Sequence, residues 1–306
     1  MKGIQAFFNK NGLVLSLFLL GAVGIWILLL IILPQLFMLD FSFRYNLPPA
    51  EIGGPMDVYT VENYRYMIFG SVNNPDAFNV VDVTVFLRTI AAAVFVTLFD
   101  LAMCYPIAYY LAHEARGGFG RLMVLSLIVP FWVNEILRAF AFRILFGSTG
   151  VINNFMLWAG LTDQPIDFIR EDIAMYAGLG YAYILLMVFP LYNAVESLDR
   201  NQIEAARDMG ASWWRIHWRV IIPYAKPGIT SGCTMVFMLS AGALAAPQIL
   251  GGPSSLWFTQ IIYQWFNTGG NWPRGSAYAV ILLGACIVFV LLMMKVFKVR
   301  LGEIAR

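Results

Sequence analysis

Six long apolar runs limit what this chain can fold into. They cover residues 13–38, 83–112, 121–146, 173–196, 220–248 and 277–299. Each run reaches or exceeds the length of about 20 residues with which a helix crosses the hydrocarbon core of a bilayer. Lipid offers no hydrogen-bond partner to an open strand, so each run is expected to be a helix. The pattern therefore predicts an all-α polytopic membrane protein with six transmembrane helices.

The composition fits this prediction. Of the 306 residues, 60% are hydrophobic and only 12% are charged, whereas a soluble domain carries about 25% charged residues. The three cysteines, Cys104, Cys233 and Cys286, all lie inside apolar runs. They are predicted to be packing residues rather than disulfide halves or metal ligands, and no metal site is expected.

The lysines and arginines lie mostly in one set of connections between the runs. That set contains Lys2, Lys10, Arg116, Arg121, Arg200, Arg207, Arg215, Arg219, Arg300 and Arg306. The other set contains only Arg44, Arg65, Arg170 and Arg274. Because positively charged connections remain in the cytoplasm, both termini are predicted to be cytoplasmic.

This topology divides the chain into three parts. Residues 1–82 are predicted to be an N-terminal transmembrane helix with an outer, periplasmic loop. Residues 83–299 are predicted to be a core of five helices, and residues 300–306 a cytoplasmic tail. The first run is too long for the core of a signal peptide and lacks a small-residue cleavage pattern, so it is expected to be an uncleaved span.

A charged stretch, residues 204–223 (EAARDMGASWWRIHWRVIIP), belongs to the predicted cytoplasmic connection between the fourth and fifth runs. Asp199 is a favourable N-cap for a short helix, and Gly210 suits the position just after its last residue. Ser212 is expected to cap a second helix, which continues to Pro223. The stretch therefore predicts a helix, a sharp bend and a second helix.

The first of these helices has two small neighbouring side chains, Ala205 and Ala206, which are expected to leave a smooth face that another protein can approach closely. Arg200 and Glu204 are four residues apart and are expected to form an ion pair. The alternative interpretation is an ordinary amphipathic connection whose tryptophans are anchored among the lipid headgroups.

The spacing Glu204-Ala205-Ala206, then Gly210, then Val220-Ile221-Ile222-Pro223 resembles the cytoplasmic signature of type I ABC importer permeases. The resemblance extends over residues 83–299. Three further segments look most like the polyamine (spermidine/putrescine) branch of these permeases: PFWVNEILRAFAFRILFG (130–147), GGP (251–253) and NWPRGSA (271–277).

The resemblance implies the type I ABC importer permease fold, in which residues 199–218 contain the coupling helix that docks into a groove of the ATPase subunit. The ATPase-coupling residues that it implies are Glu204, Ala205, Ala206, Gly210 and Pro223. The implied partners are a second permease subunit of related but different sequence, two cytoplasmic ATPase subunits, a periplasmic solute-binding protein and membrane lipid. No nucleic acid is implied.

The resemblance also implies a bacterial inner-membrane subunit that catalyses no covalent reaction. The sequence contains no G-x-x-x-x-G-K-[ST] motif for cradling phosphates. The chain itself is therefore expected to bind no cofactor, and ATP and Mg²⁺ are expected on the partner ATPase subunits.

Ionisable residues inside apolar runs are costly and so mark candidate functional positions. Asp100 lies near the middle of the second run. Glu135 and Arg138 lie three residues apart in the third run, on one helical face, where they form either a structural ion pair or part of the pathway. The substrate-pathway candidates are Asp100, Trp132, Glu135, Arg138, Tyr183, Ser240 and Gln248.

Other residues near the ends of the runs receive simpler interpretations. Arg88 is expected to extend its charge towards the lipid headgroups. His113 and His217 are far apart in the sequence and are expected to be interfacial rather than catalytic. In the fifth run, Pro247 and the segment 251–253 are expected to break the helix at its outer side.

The substrate stays open at this stage. Polyamine permeases tend to carry acids in the segment where this chain has Ala243 and Gln248. The candidates are a polyamine or a related amine or amino-acid derivative. Three rival functions are an ion-gradient-driven secondary transporter, a membrane-embedded enzyme and the membrane domain of an exporter. The sequence shows no cluster of nucleophile, base or metal ligands for the second, and exporters normally lack the cytoplasmic signature.

Overall fold

The computed structural model describes residues 12–70, 77–115, 117–252, 255–299 and 302. Across these residues every regular element is helical, and the β interactions are two isolated bridges, Arg44 with Tyr59 and Phe69 with Phe78. This confirms the all-α prediction for the described part of the chain. The chain divides into two compact units, Met1–Asn79 with Ile262–Ile281 and Val80–Ile261 with Leu282–Arg306.

The helices, numbered in chain order, have the following bounds. The first three are α1 (Leu13–Ser42, with a π turn at Leu28–Ile32), α2 (Glu62–Ile68) and α3 (Val80–His113). Then follow α4 (Gly117–Ile128), α5 (Glu135–Leu145), α6 (Val151–Trp158), α7 (Ile173–Glu196), α8 (Arg200–Asp208) and α9 (Trp213–Ile216). The last four are α10 (Ile222–Ala241), α11 (Ala245–Leu250), α12 (Phe258–Asn267) and α13 (Trp272–Phe297).

Polar contacts organise the unit that begins with α1. The Arg44 guanidinium donates to the Asp40 carboxylate at 2.7 Å and to the Asp57 carboxylate at 2.9 Å. The hydrogen bond to Asp40 contributes most to raising the pKa of Arg44. In the second segment of this unit, the Arg274 guanidinium carbon lies 3.6 Å from the Tyr66 ring centroid and 4.8 Å from that of Trp265. Cation–π contact therefore joins the loop helix α2 to the segment 262–281.

The core of the other unit lies between α3, α7 and α10, which contribute most of its fully buried apolar side chains. Small residues bring these helices together. A Cβ at Gly228 of α10 would overlap the Pro190 carbonyl oxygen of α7, and one at Gly232 would lie 2.8 Å from the Met187 sulfur. Such close backbone approach is typical of helices that pack inside a bilayer.

Four of the helices in the described residues are long and apolar enough to cross a membrane: Leu13–Ser42, Val80–His113, Ile173–Glu196 and Trp272–Phe297. They correspond to the first, second, fourth and sixth predicted spans. The prediction of six continuous spans is therefore supported only in part.

The third predicted span, residues 121–146, is not one helix. Helix α4 ends at Ile128, a 3₁₀ turn covers Val129–Trp132, and α5 begins at Glu135. The physical cause is local: Pro130 has no N–H to continue a helix, and the Asn134 side chain caps α5 by accepting from the Ile136 N–H at 2.8 Å.

The fifth predicted span, residues 220–248, is also interrupted. The predicted break at Pro247 was wrong, whereas the predicted stop beginning at Gly251 is confirmed, because α11 ends at Leu250. Helix α10 ends at Ala241, and α11 begins at Ala245. Pro247 lies inside the first turn of α11, where its missing N–H would have no helical partner in any case. The break therefore precedes this proline.

Candidate functional site

The charged stretch folds as a short helix that is closed at both ends. At its start, the Asp199 side chain accepts a hydrogen bond from the Asn201 N–H at 3.0 Å. At its end, Gly210 has φ 77°, the Gly210 N–H bonds the Arg207 carbonyl at 2.9 Å and the Ala211 N–H bonds the Ala206 carbonyl at 3.0 Å. These two bonds form a Schellman motif. The predicted N-cap and glycine stop of α8 are confirmed.

Helix α8 has one inner and one outer face. Ile203 and Ala206 are buried against the chain's own core, whereas Glu204, Ala205 and Asp208 are exposed. Neighbouring helical residues point about 100° apart, because a turn takes 3.6 residues. The expectation that Ala205 and Ala206 share an outward face was therefore wrong: Ala206 lets α8 approach its own chain.

The second helix continues without interruption into α10. Ser212 lies at the N-cap of α9, as predicted, but its side chain makes no capping hydrogen bond. A π turn, His217–Ile221, joins α9 to α10. Pro223 follows this π turn at the start of α10. The wider hydrogen-bond spacing of the π turn therefore occurs just before Pro223, which has no N–H to donate.

Arg200 makes a different contact from the one expected. Its guanidinium donates to the carbonyl oxygens of Ala112 at 3.4 Å and His113 at 3.1 Å. No ion pair with Glu204 forms in the part of the chain that the structure describes. The last carbonyls of a helix have no partner within it and carry partial negative charge, so the end of α3 attracts the guanidinium.

The two histidines lie in one cluster with aromatic residues. The Tyr105 hydroxyl and His217 Nδ1 share a hydrogen bond of 2.7 Å. The His217 ring lies 3.9 Å from the Trp213 ring and 4.6 Å from the Tyr109 ring, between centroids. Tyr109 also contacts His113 at 5.3 Å. Burial, and to a smaller degree the nearby His113, lower the pKa of His217 and so favour its neutral form.

Three of the predicted substrate-pathway residues are buried inside the unit. Asp100 is fully buried, and a Cβ at Gly180 of α7 would lie 3.1 Å from its Oδ1. Neither carboxylate oxygen of Asp100 has a hydrogen-bond partner among the described residues. Tyr183 is buried and donates to the Leu239 carbonyl at 3.3 Å, and Ser240 is fully buried. These positions face neighbouring helices of the same chain.

The other four candidates lie at or near the surface. Trp132 is 81% exposed in the 3₁₀ turn, and Glu135 and Gln248 are also exposed. Arg138 is half-buried, with its guanidinium carbon 6.0 Å from the Tyr181 ring centroid. The Glu135 and Arg138 side chains form no ion pair in the described structure, although they lie one turn apart in α5. The structural ion-pair alternative is therefore not seen.

A large groove lies between α7 and α10 and holds none of these seven candidates. Its volume is about 1140 Å³, and its lining includes Phe131, Phe189, Asn193, Tyr224 and Ser231. Most of the lining is apolar, with a few polar groups, as in sites that bind small molecules or helices. Sequence reasoning missed this groove because its residues are scattered over three helices and no motif marks them.

Sequence reasoning also missed a polar network between α3 and the start of α7. The Arg88 guanidinium pairs with the Asp172 carboxylate, which also accepts from the Ser255 hydroxyl. Asp172 has φ 61°, an unusual backbone conformation for a non-glycine residue. Arg88 therefore pairs within the chain instead of extending to the headgroups. The described residues contain no group of three or more His, Cys, Asp or Glu that could hold a metal ion.

Comparison with known proteins gives a consistent match. Residues 84–301 match the family model described as "Binding-protein-dependent transport system inner membrane component". The chain is 34% identical over 260 residues to the spermidine/putrescine transport system permease protein PotB of Escherichia coli (strain K12), covering 84% of this chain and 88% of that protein. It is 30% identical over 267 residues to PotB of Haemophilus influenzae, covering 87% and 88%.

Solved structures share the fold at low sequence identity. One chain of a bacterial ABC transporter involved in the import of the acidic polysaccharide alginate superposes with a TM-score of 0.71, at 16% identity over 95% of this chain and 96% of that one. A chain of the inward-facing MetNI methionine ABC transporter matches with a TM-score of 0.50, at 21% identity over 71% of this chain and 92% of that one.

Proposed function

The chain belongs to the family of binding-protein-dependent transport system inner membrane components, and from this we propose that it forms one half of a solute pathway. It is a multi-pass inner-membrane permease subunit of an ABC importer, and its family performs transport rather than covalent catalysis. In our proposal a second permease of related but different sequence supplies the other half. A periplasmic solute-binding protein delivers the solute to the outer loops.

The outer face of α8 supports a docking role for the segment 199–218, which we call the coupling segment. Glu204 and Ala205 are exposed on a helix whose opposite face is fixed by buried Ile203 and Ala206. A helix that is held firmly on one side and free on the other can transmit force from a partner. In our proposal each of two cytoplasmic ATPase subunits receives one such segment and holds the ATP and Mg²⁺.

The remaining coupling residues shape the segment. Gly210 sets the bend at a positive φ, and Pro223 lies where the segment enters α10. Our proposal keeps both termini in the cytoplasm. Residues 1–82 form the first span with its outer loop, residues 83–299 form the core, and residues 300–306 form the tail. Closure of the ATPases would draw the coupling segments together and switch the pathway between inward and outward access.

The exposure pattern divides the pathway candidates by role. Exposed Trp132, Glu135 and Gln248, with half-buried Arg138, are available to a solute or to the second permease. Asp100, Tyr183 and Ser240 are buried in the core and are proposed to support helix packing. An aromatic ring and a carboxylate both favour organic cations, so Trp132 and Glu135 fit an amine.

We propose a polyamine or a related amine or amino-acid derivative as the substrate. Relatives named as spermidine/putrescine permeases support this class. The absence of an acid at Ala243 weighs little against it, because that side chain is buried and does not face a solute. Gln248 is exposed and is the position where an acid would matter.

The docking role is tested by co-purification from native membranes. We would tag the chain, extract it gently and quantify the proteins that accompany it by mass spectrometry, comparing wild type with Glu204→Lys. Exposed Glu171 supplies the matched control, Glu171→Lys, because it makes the same charge change outside the coupling segment.

We expect an ATPase subunit with the wild type and the control, much less of it with Glu204→Lys, and equal membrane insertion of all three. Uptake of radiolabelled spermidine should follow the same order. A wild-type chain that comes out alone and takes up solute in vesicles without ATP would overturn the proposal in favour of an ion-gradient-driven transporter.

A further inference from the structure

A stripe of ring side chains on α3 faces the coupling segment. Tyr105, Tyr109 and His113 are spaced four residues apart, so they lie on one side of α3. Trp213 and His217 are also four residues apart, at the end of the coupling segment. The structure packs these two rows against each other. The sequence does not reveal this contact, because the rows are more than 90 residues apart.

The contact between the rows is specific rather than a general apolar contact. His217 is only 3% exposed, and its Nδ1 shares a hydrogen bond of 2.7 Å with the Tyr105 hydroxyl. Trp213 covers one side of the imidazole at 3.9 Å, and Tyr109 lies 4.6 Å away, both between ring centroids. A hydrogen bond combined with rigid rings fixes both distance and orientation.

A second tether lies at the opposite end of the coupling segment. Arg200 begins α8 and donates to the carbonyls of Ala112 and His113 at the end of α3. The two tethers therefore hold both ends of the coupling segment to the same portion of α3, residues 105–113.

The covalent connections of the segment explain why such tethers matter. Helix α7 ends at Glu196 and α10 begins at Ile222, so a force on the coupling segment reaches these two helices directly through the backbone. Helix α3 is not directly connected to the segment in the chain. Movement of the segment reaches α3 by two noncovalent routes: the packing of α3 against α7 and α10, and the direct contacts that Tyr105 and the end of α3 make with the segment.

We infer that Tyr105 and His217 form a joint through which the coupling segment moves α3 together with α7 and α10. Both are positioning residues: they contact neither solute nor ATP. The inference rests on the proposed docking of the ATPase at residues 199–218, and it adds a direct contact by which the segment moves the end of α3, beside the packing of α3 against α7 and α10. Arg200 assists the joint at the other end of the segment.

The joint is tested by hydrogen-exchange mass spectrometry on the complex that co-purifies with the tagged chain. Exchange is compared between the ATP-free complex and the complex trapped with ADP and vanadate. Two peptide regions report the movement: residues 199–217 for the segment and residues 109–115 for the end of α3. The variants are Tyr105→Phe and His217→Phe, which keep a ring and remove the hydrogen bond.

The matched control is Tyr110→Phe, which removes a hydroxyl from another tyrosine of α3, the one directly after Tyr109. Tyr110 is 41% exposed and lies about 100° around the helix from Tyr109. ATP hydrolysis and the amount of retained ATPase subunit are measured for every sample, because a positioning role leaves both near their wild-type values.

In the wild type and the control, trapping should alter exchange in both regions. In Tyr105→Phe and His217→Phe the change should persist in residues 199–217 and fall in residues 109–115. Loss of one buried hydrogen bond should shift the tethered population by about 2- to 10-fold. The double variant should lose little more than either single one, because the two residues act as a pair.

Each failure has its own signature. If trapping leaves residues 199–217 of the wild type unchanged, the docking proposal fails and the joint fails with it. If residues 199–217 respond in the wild type but residues 109–115 do not, docking stands and the joint is refuted. The joint is also refuted if Tyr105→Phe behaves like Tyr110→Phe, or if it loses the ATPase subunit.

Discussion

Replacing Gly210 by alanine changes one backbone position in the coupling segment and leaves its packing intact. Gly210 has φ 77°, and a Cβ added there would meet no heavy atom within 4 Å. Steric exclusion by neighbours therefore plays no part. The cost comes only from holding an L-residue in the left-handed conformation that the bend requires.

The size of this cost follows from two competing responses. Keeping the bend with alanine costs about 1–2 kcal/mol. Abandoning it gives up the Gly210-to-Arg207 and Ala211-to-Ala206 hydrogen bonds, each of which contributes about 0.5–1.5 kcal/mol. The responses cost similar amounts, so the bend is weakened by about 1–2 kcal/mol, which is a factor of about 5–30 in population.

The assay measures how much ATPase subunit co-purifies with the tagged chain. Gly210→Ala should retain about 5- to 30-fold less at limiting ATPase concentration, and Gly210→Asn should recover part of it, since asparagine tolerates this conformation. Gly210→Pro should retain none, because proline fixes φ near −65° and removes the N–H donor.

Helix α6 supplies a closely matched control. Gly160 has φ 66° with no heavy atom within 4 Å of an added Cβ. It closes the same Schellman motif: the Gly160 N–H bonds the Leu157 carbonyl at 3.1 Å, and the Leu161 N–H bonds the Met156 carbonyl at 2.9 Å. Gly160→Ala has the same local cost but should retain the ATPase fully. Equal losses in both variants, or full retention by Gly210→Ala, would refute the assignment of the bend to ATPase docking.

Four further substitutions test which side chains face inward. Ala206→Leu should lower the melting temperature, because overpacking a buried site costs about 1–3 kcal/mol. Ala205→Leu should leave the melting temperature unchanged and reduce only ATPase retention. An equal fall in melting temperature in both variants would contradict the orientation of α8. Asp100→Asn should preserve assembly and uptake of radiolabelled spermidine, because the Asp100 side chain is fully buried and its oxygens have no hydrogen-bond partner among the described residues. A loss of uptake in the assembled protein would return Asp100 to the pathway. Glu135→Gln should weaken uptake of a cationic solute at unchanged assembly, because the side chain is exposed, and reduced assembly would show a structural role instead.

The interrupted spans show where apolar length misleads. Residues 121–146 and 220–248 are predominantly apolar, so a count of residues predicts one helix each. The breaks arise before Asn134, whose side chain caps the start of α5, and at Gly242, which follows the last residue of α10. Pro247 seemed the stronger breaker, but a proline in the first turn of a helix is tolerated. Local chemistry at the helix ends, rather than hydropathy, decided these boundaries.

The sequence by itself determined the features that depend on short-range chemistry. Apolar runs predicted a helical membrane protein, Asp199 and Gly210 predicted the ends of α8, and the Glu-Ala-Ala spacing indicated the permease family that the comparisons confirm. Caps and bends involve residues within a few positions of one another, so their partners can be read from the printed order.

Only the tertiary structure decided which side chains meet across the core. Asp100 lies against Gly180, Arg200 bonds the end of α3 instead of Glu204, and His217 bonds Tyr105. These pairs are separated by 80 or more residues, and their contact depends on how α3, α7 and α10 rotate about their axes when they pack. That rotation follows from the summed fit of many small and large side chains, which no single motif in the sequence expresses.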